Sequence, residues 1–316
     1  MITVLIQMGF LIACGAAFRG LRPGGTDPDA LRQALTSAVY YLFLPAMVLS
    51  VLGRAELGLE SLRIALFGMG TILMGMILAP VLCRSWRISR RRMGAALLAV
   101  AFGNITFLGL PLLEQTFGVW TQAVVLQFDY FASSPLLYTL GTMAARRYGH
   151  DPHRSVSRWS GWANPPLLSA VIAVVIALSG ISLPDWLQRG LELLASAVVP
   201  LMLVSLGLGL RWHFDGQHYW VTAVAVVLCK LIIVPVFAVG LGLELGFSGD
   251  MLTALVLESA MPCMAMGVMF CDRYRLDTAF YSMVTLLTTL LSLLTLPLWH
   301  QWREGLAFVR AFESGF

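Results

Sequence analysis

Residues 101–118 read AFGNITFLGLPLLEQTFG, and Asn104, Thr106, Gly109 and Pro111 fall within eight positions of one another in an otherwise apolar run. Proline removes a backbone hydrogen bond and crowds the preceding turn, and glycine lowers helix propensity by about 1 kcal/mol. The spacing therefore predicts a helix that breaks at LGLP, Leu108 to Pro111. Hydrocarbon cannot partner the freed N–H and C=O groups, so a break at membrane depth must line a cavity or be buried in protein.

The composition puts this stretch in a membrane. Of 316 residues, 58% are hydrophobic and 12% charged, against roughly 45–50% and 25% in soluble domains. Apolar runs near the ~20 residues needed to cross a bilayer recur along the chain. Ten spans are expected, at about 2–18, 30–53, 61–83, 93–117, 119–144, 165–183, 187–210, 219–245, 250–271 and 278–300. The fold class read from them is an all-α polytopic membrane protein.

Charge orients the spans. With the amino terminus outside, fifteen arginines fall on one side (Arg19, Arg22, Arg32, Arg84, Arg87, Arg90, Arg91, Arg92, Arg146, Arg147, Arg154, Arg158, Arg211, Arg273, Arg275) and five on the other. The positive-inside rule then places both termini outside a cytoplasmic (inner) membrane. The net charge of +4 is explained by topology, so no nucleic-acid partner is implied. The polar stretch from Arg146 to Trp162 reads as a cytoplasmic linker, spanning 146–164, between halves at 1–145 and 165–316. Its His150 and His153 lack partners at ligand spacing, and the five cysteines show no CxxC, so neither a metal nor a cofactor is expected.

The halves share punctuation. LPAMVLS carries Pro45 and Ser50, VPLMLVS carries Pro200 and Ser205, and both pairs lie 155 positions apart, as do Pro80 and Pro235. Pro111 and Pro262 lie 151 apart. Matching order over three consecutive spans argues for a repeat, and five spans per half invert the second copy. The expected fold is two inverted five-helix repeats with broken crossover helices four and nine, the second breaking around Pro262 in ESAMPCMAMG. Such breaks would present partly unpaired amides and helix-end dipoles to a bound ion or anion.

GNITFLGLP followed by FG, the LPAMVLS helix, and the AMP segment leading into CDRYRLD and a Ser/Thr-rich last helix together resemble the auxin efflux carrier family, including its bacterial members. The resemblance runs over nearly the whole chain and implies a permease for small organic anions. It further implies that Asn104 holds a substrate carboxylate, with Gln127 of VVLQ and Ser50 as further candidates. Ser205 takes the matching place in the second half, and Pro111 and Pro262 mark the crossovers. Many relatives carry Asn four residues after the helix-nine proline, where this chain has Met266. With Met261, Met264 and Met269, it gives that side a more apolar wall.

Ionisable residues inside spans cost about 2.5–3.5 kcal/mol on insertion scales and are functional candidates by default. Asp129 and Glu258 are placed to bind a coupling cation, proton or sodium. Lys230 is placed to attract an anion or to pair with either carboxylate. No HExxH or GxSxG motif supports an enzyme, and with no ATP-binding motif the drive must come from gradients. The expectation is a secondary transporter working by alternating access at a midplane site, among membrane lipid and compatible with a homodimer. The alternatives are a membrane-embedded sensor or scaffold, and a permease for a more apolar metabolite.

Overall fold

The computed structural model describes residues 2–55, 57–83, 88–149, 165–209 and 220–313. Most of the expected linker, including His150, His153, Arg154 and Arg158, lies outside the described residues, as do Arg84, Arg87 and Arg211. Within them every long element is a helix: α1 Ile2–Leu21, α2 Pro28–Leu52, α3 Leu59–Cys83, α4 Arg90–Ala101, α5 105–117, α6 120–148, α7 Pro165–Ser179, α8 Asp185–Gly209, α9 Trp220–Glu244, α10 Gly249–Ser259, α11 Gly267–Arg273 and α12 Thr278–Glu313. Five of these (α2, α3, α8, α9 and α12) contain stretches long and apolar enough to cross a membrane, and α1 and α7 are shorter apolar helices. Large apolar side chains such as Leu66, Ile77, Val171, Val175 and Leu178 lie exposed on α3 and α7. In a multi-pass membrane protein they face lipid.

Packing separates two groups of helices. In one, α1 lies on the second half of α8 and α7 on the second half of α2, so that each pairing joins helices far apart in sequence. At the α1–α8 crossing, Gly15 approaches the backbone of Val204 and Leu208, and Gly207 approaches that of Ile12 and Ala16. Small residues let membrane helices approach this closely. Arg19 ties the same pair by donating to the Leu208 carbonyl at 2.7 Å.

In the other group, α3 packs on α4, α6 and α9, and α12 on α4, α9, α10 and α11. Its charged end is held by Arg91, which donates to the carbonyl of Leu276 at 3.1 Å, and by an Arg92–Asp277 ion pair at 3.2 Å. The groups meet where α1 and α8 touch α5 and where α2 touches α6.

Proline shapes the helices more subtly than the sequence reading expects. Rather than breaking at LGLP, the chain is helical from Ile105 through Phe117, and Pro111 sits inside that run. The interruption lies eight residues or so earlier, at Phe102–Asn104, where Phe102 is extended (φ −109°, ψ 118°). Ahead of Pro111 the helix widens into a π turn, Ile105–Gly109, closed by Leu110 N–H reaching the Ile105 carbonyl. The same widening precedes Pro45 (Val39–Phe43), Pro135 (Asp129–Ser133) and Pro235 (Cys229–Ile233). Proline offers no N–H to the carbonyl four residues back, and a five-residue reach by the preceding amide accommodates the gap without breaking the rod.

Candidate functional site

The two interruptions cross each other. Residues 260–266 separate α10 from α11, and Gly103 and Cys263 pair there as an antiparallel bridge. Asn104 N–H donates to the Pro262 carbonyl at 2.7 Å, and Met264 N–H to the Phe102 carbonyl at 3.1 Å. From α12, Thr288 accepts the Cys263 N–H at 3.2 Å, and the Tyr281 hydroxyl donates to the Met264 carbonyl at 3.0 Å. Part of the broken backbone is thus satisfied across the crossing, at the amides of Asn104, Cys263 and Met264, as burial in a low-dielectric interior demands.

The Asn104 side chain is 3% exposed and its Nδ2 has no hydrogen-bond partner. It lines a cavity of about 90 Å³ that Asp129 and the tyrosines Tyr40, Tyr130 and Tyr138 also line. Thr106 donates to Asp129 Oδ2, and Ser134 to Oδ1 at 3.1 Å. A buried donor left unpaired costs about 1–3 kcal/mol, and an acceptor in this cavity would remove that cost.

Behind the crossing strand lies a second, tighter compartment. Gly103 and Ile105 line both spaces, and this one holds Lys230 and Glu258. Lys230 is 3% exposed and donates to the Ser259 carbonyl at 3.4 Å. Glu258 is 1% exposed, and neither carboxylate oxygen has a hydrogen-bond partner. The Glu258 carboxylate lies against Gly109, where a Cβ would stand 2.5 Å from both oxygens.

The other expected residues are dispersed. Ser50 lines a cavity of about 620 Å³ with Arg54, Gln188 and Glu192, and its hydroxyl donates to the Met47 carbonyl at 3.0 Å. Ser205 lines another, of about 350 Å³, and shares a 2.9 Å hydrogen bond with Thr36. Gln127 is buried with Oε1 unpartnered, but does not line the Asn104 cavity, nor does Pro111. Pro262 contributes only its carbonyl. Of the methionines, Met264 and Met266 line the Asn104 cavity, Met261 is fully buried and Met269 is 58% exposed. No cluster that could hold a metal occurs among the described residues.

The sequence reading missed Tyr40, Thr106, Ser134 and Tyr138. A signal for three polar residues was present, since Tyr40, Thr106 and Asp129 each sit in a π turn five or six residues before a proline, as does Lys230.

Residues 3–300 match the sequence family described as membrane transport protein. The chain belongs to that family. This is the family of the auxin efflux carriers, so the resemblance read from GNITFLGLP holds, and its members are transporters rather than enzymes. The chain is 28% identical over 302 residues to an uncharacterized transporter of Methanothermobacter thermautotrophicus, covering 94% of this chain and 95% of the relative. It is 26% identical over 275 residues to an uncharacterized transporter of Methanocaldococcus jannaschii, covering 84% and 88%. The protein is a multi-pass membrane transporter.

Proposed function

We propose that this family member is a secondary carrier of a small organic anion, which binds at the crossing of the two broken helices and moves by alternating access. The observation that carries this reading is the buried, unpartnered amide of Asn104 in a cavity at that crossing, a donor suited to a carboxylate oxygen. The architecture behind it is ten spans in two inverted repeats, 1–145 and 165–316, joined by a linker at 146–164. The mirrored pairs α1 with α8 and α7 with α2 support it, as do the paired interruptions. The carrier sits in the cytoplasmic membrane with both termini outside.

Coupling follows from the charges. An anion beside an ionised Asp129 would place two negative charges in one small cavity, worth about 4 kcal/mol of repulsion at ~4 Å and an effective dielectric of ~20. A cation, proton or sodium, therefore travels with the anion. Glu258 and Lys230, on the other face of the crossing strand, complete the coupling set and respond to the anion through the strand they share.

Counterflow of labelled carboxylates into proteoliposomes tests the reading. Saturable exchange that is lost in Asn104→Ala, with the variant still folded, is the expected result. Absence of exchange with any carboxylate would turn the assignment toward a more apolar cargo or a sensor.

A further inference from the structure

The Asn104 cavity and the 350 Å³ cavity share two lining residues, Phe107 and Met266. Phe107 comes from the first π turn of α5 and Met266 from the residues that enter α11, so each broken helix supplies one half of the partition. Both are half-buried. The two sides differ in chemistry. The larger cavity carries Arg32, Ser205, Ser282, Thr285 and Thr289 and is a polar vestibule. The smaller one carries the hydroxyls of Tyr40, Thr106, Tyr130, Ser133, Ser134 and Tyr138 beside Asn104 and Asp129, against an apolar wall that includes Leu44, Leu137 and Phe270.

Volume sets the scale of the occupant. A dry cavity of ~150 Å³ takes up benzene, with its six non-hydrogen atoms, so about 90 Å³ matches roughly four, the scale of a short monocarboxylate such as acetate. Charge sets its class. One free amide donor serves one carboxylate, and a second would meet the Asp129 carboxylate that lines the same small cavity, where like charges repel.

Resting on the carrier reading above, we propose that Phe107 and Met266 form the wall that restricts the substrate to short monocarboxylates. Removing either side chain joins the inner cavity to the vestibule and admits larger acids. Methionine, with three rotatable bonds, suits a partition that must yield as the substrate passes.

The test is calorimetric binding of propionate, phenylacetate and malonate to the purified full chain, as wild type, Met266→Ala and Phe107→Ala. Because the readout is the ratio of affinities within each protein, a partly inactive preparation does not move it, and either variant suffices if the other fails to fold. The wild type is expected to favour propionate over phenylacetate and over malonate by at least about 10-fold. In the truncated variants the preference over phenylacetate should fall by about 10-fold or more, the scale of hydrophobic-pocket discrimination. A wild type that binds all three alike, or variants that keep the wild-type ratio, would overturn the partition alone. A wild type that binds none of them overturns the carboxylate reading as well.

Discussion

Glu258 and Gly109 show how much a single residue decides here. The carboxylate is 1% exposed, has no hydrogen-bond partner, and occupies the space a side chain at 109 would need. Gly109→Ala should lower stability by about 1–3 kcal/mol, the usual cost of overpacking. In a cycle with Glu258→Ala the two losses should fall short of additivity; additive losses in thermal unfolding would show that the contact is not the cause. Glu258→Gln should keep counterflow but lose gradient-driven accumulation, and accumulation that persisted would remove Glu258 from coupling. At this scale the sequence pointed to Asn104, Asp129, Glu258 and Lys230, because ionisable or amide groups are conspicuous in apolar runs. It could not tell which of them meet. Asn104 faces Asp129 in one cavity and Lys230 shares another with Glu258, while Gln127, Ser50 and Ser205 lie elsewhere.

Helices pose the problem of approach and continuity. Gly207 and Gly15 bring the backbones of α8 and α1 together, whereas Gly20, near the end of α1, has open space around its Cα. Gly207→Leu should therefore cost about 1–3 kcal/mol or more through forced separation of the pair. Gly20→Ala should be neutral or stabilise slightly, by up to about 1 kcal/mol, through helix propensity. Equal effects in detergent thermal melts would contradict the packing. Prolines were legible as punctuation, yet their consequence was not: four of them follow π turns that keep the rod continuous. At Pro262 the helix opens instead, where residues 102–104 lie alongside to accept and donate its freed hydrogen bonds.

For the whole molecule, the proposed orientation, with the arginine-rich side in the cytoplasm, can be tested from outside the cell. In a background without native cysteines, Ser182→Cys, in the exposed turn between α7 and α8, should react with a membrane-impermeant maleimide in intact cells. Arg273→Cys, exposed at the end of α11, should react only after permeabilisation; the reverse pattern would invert the topology. The sequence by itself determined the membrane class, the transporter family, the helical content and the presence of a break in each half, because these follow from local composition, spacing and motif. Tertiary structure alone decided where the first break falls, which polar groups share a cavity and how the broken backbones are satisfied. Those outcomes depend on partners more than a hundred residues away, as Asn104 depends on Pro262, and local propensity carries no information about a hydrogen bond that the other half of the chain supplies.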